Sequence, residues 1–190
     1  TRDLLRRSAY VGGVDARHRF GPGNNWQLNA AVTASHIEGS RAAVLATETD
    51  PAHYYQRPDG PLRVDTTRTA LAGDAETIHF AKYGGLIRFE TSWQRISPGY
   101  EINDLGFLNR ADWQDQSTWM GLQFLRRTKW YNQLNWNFNE WQDWTSDGGL
   151  QLERAVNTNA HVQFHNNWFL HAGGTVGQLG ATFSARATRG

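Results

Sequence analysis

Two groups of carboxylates lie close enough in the chain to do chemistry: Glu101, Asp104, Asp112 and Asp115, and then Glu140, Asp143 and Asp147. Two acids facing each other across a loop can serve as general acid and base on a glycosidic bond, or share a Ca²⁺ ion. The spacing matches no calcium-binding loop, and acids also gather in solvated loops with no chemistry attached. A glycan hydrolase working through Glu140 and Asp143 is therefore kept as the last of three readings. The seven histidines give no better case. His161 and His165 are four apart, which suits a shared metal ion on a helix but separates the rings by roughly 13 Å on a strand. No Gly-x-Ser-x-Gly elbow, phosphate-binding glycine loop or His-Glu-x-x-His occurs. No catalytic residue, metal ligand or cofactor is expected.

Aromatic and polar side chains in the long connections are stronger candidates. Tyr54, Tyr55, Arg57, Tyr100, Asn103, Asp104, Arg110, Trp141 and Trp144 fall in or beside these connections, with Asp59 and Arg63 nearby. Aromatic faces flanked by such groups would suit a sugar or peptide ligand. The competing role for Tyr100 and its neighbours is to pack a loop down as a plug or constriction.

The elements that would hold these residues are strands. Leu134, Trp136 and Phe138 alternate with Gln133, Asn135, Asn137 and Asn139, and Val156 to Phe164 alternate with Asn157, Asn159, His161 and Gln163. Apolar residues two apart give one apolar and one polar surface on a strand; a helix would need them three and four apart. The same period runs through Tyr10–Phe20, Trp26–Ala34, Ile87–Gln94 and Trp168–Val176, and more weakly through Arg68–Lys82 and Trp113–Arg126. The prediction is about eight strands of about 10–15 residues, longer than those of globular sheets and long enough to cross a bilayer when tilted. Four connections read as short (Gly21–Asn25, Tyr83–Gly85, Arg126–Lys129, His165–Asn167). Three read as long (Glu38 to about Thr66, Ser97–Asp112, Thr145 to about Arg154). Alternating short and long joints, with aromatics such as Phe20, Trp26, Phe124, Trp130 and Trp168 beside the short ones, are the pattern of an outer-membrane barrel.

Composition agrees with an apolar face toward lipid and a polar face toward a lumen. Of 19 basic residues only Lys82 and Lys129 are lysine, and Asn and Gln outnumber either charge class. Amides suit a wet, confined space, and Arg17, Arg19, Arg88, Glu90, Asn135, Asn137, Asn157, Asn159 and His161 are the predicted lumen lining. The mean hydropathy of −0.65 is only an average over alternating strands. Absence of cysteine excludes disulfides and thiolate metal sites. No apolar run is long enough for a spanning helix, and a net charge of +1 gives no case for nucleic acid. Aromatic content of 13% excludes a disordered chain. The chain, residues 1–190, is expected to be a single all-β segment, incomplete at both ends: an antiparallel up-and-down meander forming an arc of a larger transmembrane barrel.

The segment Ser97-Pro98-Gly99-Tyr100-Glu101-Ile102-Asn103-Asp104-Leu105-Gly106-Phe107-Leu108-Asn109-Arg110-Ala111-Asp112 resembles the hallmark of an uncharacterised bacterial family. Tyr54-Tyr55-Gln56-Arg57-Pro58-Asp59 and Phe138-Asn139-Glu140-Trp141-Gln142 are similar to it as well. In that family a domain like family-9 carbohydrate-binding modules precedes an outer-membrane β-barrel domain of unknown function. The resemblance implies residence in the outer membrane of Gram-negative bacteria, with the lipid bilayer, the remaining barrel strands and the carbohydrate-binding-like domain as partners. The leading expectation is a non-enzymatic, porin-like protein for binding or passage of a small hydrophilic or glycan-like solute. The second is a soluble β-rich carbohydrate-binding module, which would turn Trp136, Phe138, Val162 and Leu170 into a core.

Overall fold

The computed structural model describes residues 5–57 and 61–179. Eight strands form one antiparallel sheet: β1 (Arg6–Phe20), β2 (Trp26–Gly39), β3 (Ala70–Lys82), β4 (Ile87–Ile96), β5 (Trp113–Phe124), β6 (Tyr131–Trp144), β7 (Gln151–Phe164) and β8 (Phe169–Leu179). Spatial order is sequence order, so each strand pairs with its neighbours in the chain. Among the described residues β1 and β8 are the free edges of an open sheet. The meander predicted from alternation is present, with strands of 10 to 15 residues. The extreme ends of the chain, on which the expectation of an incomplete segment turns, lie outside the described residues, as does Asp59.

The connections depart from expectation in two ways. The joint between β6 and β7 spans only residues 145–150, no longer than the turn at 125–130, so long loops follow β2 and β4 alone. Two hydrogen bonds close this tight turn, Thr145 N–H to the Leu150 carbonyl at 3.0 Å and Gly148 N–H to the Thr145 carbonyl at 2.8 Å. Gly148 takes the left-handed conformation the turn requires (φ 74°). The second departure is a helix, α1 (Arg41–Thr49), inside the connection after β2. Ser40 caps it by accepting the Ala43 N–H at 3.1 Å.

The sheet has one apolar and one polar face. Its apolar face is open: Val32, Trp136 and Leu170 are 49%, 45% and 57% exposed, and Val14 and Val176 more so. Phe138 and Val162 are half-buried by their strand neighbours, and none of the four residues required as a core by the soluble reading is buried. At the short-turn end this face carries a belt of rings. Trp26 stacks on Phe80 at 5.5 Å and on Phe20 at 6.3 Å, and Phe89 meets Phe80 edge-on at 5.5 Å. Burial occurs instead on the polar face, at the end where the long loops leave. There Ile37 and Leu71 stand opposite each other in register and pack against Val44 of α1 and Tyr55. Beside them Ile96, Tyr100, Leu108 and Ala111 form a second small core.

Candidate functional site

The long loops fold inward over the polar face because the strands leave room and partners for them. Gly73 of β3 lies directly under Tyr100, where an added Cβ would collide with the Tyr100 backbone nitrogen. Gly99 in turn lies against the Ala72 carbonyl. The Tyr100 hydroxyl reaches Thr33 Oγ1 at 2.9 Å, and the Glu101 N–H donates to Ser35 Oγ at 2.9 Å, both residues belonging to β2.

Buried ionic pairs then fasten loop to loop. His53, fully buried, spans the Pro98 carbonyl through Nδ1 and Glu101 Oε2 through Nε2, each at 2.8 Å. Arg6 of β1 reaches the same Glu101 oxygen at 3.0 Å and Asp104 at 2.5 Å. Burial acts to raise the Glu101 carboxyl pKa. Hydrogen bonds from His53 and the Asn103 N–H, with the charge of Arg6, outweigh burial and hold it at about 2. Arg57 pairs with Asp112, both buried, and Asp112 also accepts from Ser146 Oγ at 2.6 Å. Glu48 of α1, buried as well, accepts from Arg68 at 2.6 Å and from the Asp65 N–H at 2.8 Å. All three long-end connections are thus tied together through Glu101, Arg57 and Asp112, which are buried.

The predicted ligand residues of the loops are drawn into this packing. Tyr55 lies in the first small core, where burial pushes its hydroxyl up to about 12. Tyr54, beside it, takes a left-handed backbone (φ 52°). Asn103 accepts the Leu108 N–H at 2.7 Å, and the Arg110 guanidinium sits 5.3 Å from the Trp113 ring centre. Trp141 and Trp144 are not loop residues. Both belong to β6, and as positions three apart on a strand they face opposite ways, Trp141 onto the polar face and Trp144 onto the other. The nine candidates therefore do not form one ligand site. Glu140 and Asp143 diverge for the same reason, so that pair does not assemble a hydrolase centre.

The polar face itself is more coherent. Register rows put Arg17 beside Asn29, Arg19 beside Gln27, and Glu90 in line with Asn157. Another row runs from Arg88 to Asn159 through Asn137, and Asn135 stands opposite His161. All nine predicted lining residues share this face. Across β6–β8 their amides form a connected ladder. Asn137 donates to Asn159 at 2.8 Å, Asn139 and Asn159 donate to Asn157 at 2.9 and 2.6 Å, and His161 meets His171 and Asn159. Sequence reasoning missed His53, Glu48, Arg68, Ser35 and Ser146, whose roles appear only through distant partners. Among the described residues no group of three or more His, Asp or Glu is placed to hold a metal ion.

Fold and face define a class: a long-stranded antiparallel meander, polar and covered by loops at one end on one side, apolar and open on the other. The chain belongs to a family described as a domain of unknown function (DUF5916), whose model matches residues 7–188. Comparison with the curated proteins and with the solved structures finds no match.

Proposed function

We propose that this chain is a stretch of an outer-membrane β-barrel in a Gram-negative bacterium. It is non-enzymatic, and its polar face lines a path that binds or passes a small hydrophilic or glycan-like solute. The observation that carries this reading is the open apolar face, with its ring belt at the short-turn end, behind a polar face that receives the loops. A soluble domain would gain about 25 cal/mol for every Å² of that face it buried, and no described element covers it. A bilayer would cover it, and the belt would lie at the interface, where aromatic rings settle.

On this reading the ionic latches hold the loops as a constriction at one end of the path. The amide ladder gives a neutral, wettable wall. The open edges of β1 and β8 would pair with further strands of the same protein, and the resemblance adds a carbohydrate-binding-like domain ahead of them. Fractionation of the full-length protein from a Gram-negative cell tests this directly. The expected result is recovery in the detergent-soluble outer membrane; recovery in the aqueous fraction overturns it.

A further inference from the structure

A groove of about 450 Å³ opens on the polar face in the middle of the sheet, away from the latched loops. Two tryptophans border it. Trp119 of β5 is opposite Asn139, and Trp141 of β6 is opposite Ser117, so the two rings are diagonal neighbours on adjacent strands. Each indole N–H is already engaged, Trp119 with Asn137 Oδ1 at 3.1 Å and Trp141 with Glu153 Oε1 at 2.6 Å. The rings are held by their edges. Trp119 also lies down over Gly121, where an added Cβ would collide with the indole Cζ2. The absence of a side chain at Gly121 leaves room for the six-membered edge of that ring against the sheet.

Hydroxyls and amides make up most of the rest of the lining, with His79, Glu90 and Glu140 beside them. Ser92 and Ser117 hydrogen-bond at 2.9 Å, Asn139 donates to Asn157 at 2.9 Å, and Asn157 donates to Thr175 at 2.8 Å. The carboxylates in and beside the lining are engaged, Glu90 by His79 at 3.4 Å, Glu140 by Gln142 at 2.5 Å and Glu153 by Trp141. Indole rings bordered by hydroxyls, amides and already engaged carboxylates are complementary to a pyranose ring, whose C–H face is apolar and whose rim carries hydroxyls.

We propose that this groove is a subsite for a neutral carbohydrate, one sugar ring stacking on Trp119 and the next reaching Trp141. The proposal rests on the reading of the polar face as a solvent-filled path, and specifies the solute held there. The test is calorimetric titration of detergent-solubilised full-length protein. The probes are neutral hexasaccharides of α-glucan, β-glucan, mannan and chitin type, with tri-lysine and tri-glutamate as charged comparators.

At least one hexasaccharide should bind and neither peptide should. Trp119→Ala and Trp141→Ala should each weaken binding by about tenfold. Gly121→Val, which leaves both rings in place but tips one of them, should weaken it by a comparable factor. Trp136→Ala, on the opposite face, should leave it unchanged. Unaltered circular dichroism qualifies each variant, and Asn139→Ala replaces any that fails to fold. Absence of binding by all four sugars, tighter binding of a peptide, or full affinity in Trp119→Ala overturns the proposal. Sugar binding by a protein recovered from the aqueous fraction would keep the subsite and overturn the membrane reading; a membrane protein that binds no sugar does the reverse.

Discussion

Single side chains at the loop end carry charges that have no cheap alternative to each other. Asp112 is buried with Arg57, so Asp112→Ala removes the carboxylate from a buried ion pair, a change that costs about 3–5 kcal/mol in such pairs. The expected result is faster hydrogen exchange in residues 97–112 and 145–150, read by mass spectrometry, while β6–β8 keep their protection. Glu101 gives the loops a dependence on acid. Its carboxyl is held at about 2, against about 4.3 for a free glutamate. A lowered folded-state value means a stabilisation fully present above about pH 4.3 and lost as pH falls through about 2. Exchange in residues 97–112 should thus be flat from pH 7 to 5 and rise below about 4, after correction for intrinsic rates; Glu101→Gln should abolish the rise. Neither role was legible in the sequence. Arg57 and Asp112 are 55 positions apart and His53 and Glu101 are 48 apart, and no local pattern announces such a pairing.

The strands, by contrast, declare themselves, because alternation is a local property that each segment carries whatever it packs against. The errors fall where that property fades. Glu140-Trp141-Gln142-Asp143 is polar enough to read as a loop, yet β6 runs through it to Trp144, since both faces of that strand end are polar. The helix α1 hides in a long connection, as its buried positions Ala43, Val44, Thr47 and Glu48 include two polar residues and make a weak stripe. Docking of the loop after β4 was equally invisible, because it depends on the smoothness of β3 at one residue. Gly73→Val should lift Tyr100 off the sheet and speed proteolytic nicking within residues 97–112 several-fold, leaving strand content by circular dichroism unchanged.

For the molecule as a whole, the question is which solvent each face meets. Under the membrane reading an arginine at the centre of the apolar face costs about 2–4 kcal/mol, whereas one on the polar face costs little. Ile78→Arg, between Ala30 and Trp93, should lower the denaturant midpoint of the protein folded into lipid vesicles, and Gln133→Arg on the polar face should not. In a soluble protein Ile78→Arg would be nearly silent, since the position is 48% exposed. Strand order has a separate consequence. Because every ladder joins chain neighbours, each hairpin is a module that duplication or deletion can add or remove without rewriting the others. That freedom has a boundary. Arg6 near the start of β1 is bonded to Asp104, which lies beyond β4. A hairpin gained or lost between those two points would pull the pair apart, and the bonds of Ser146 to Asp112 and of Arg127 to His165 cross later strands in the same way. Variation in strand number should therefore spare the hairpins that these bonds cross and accumulate outside them.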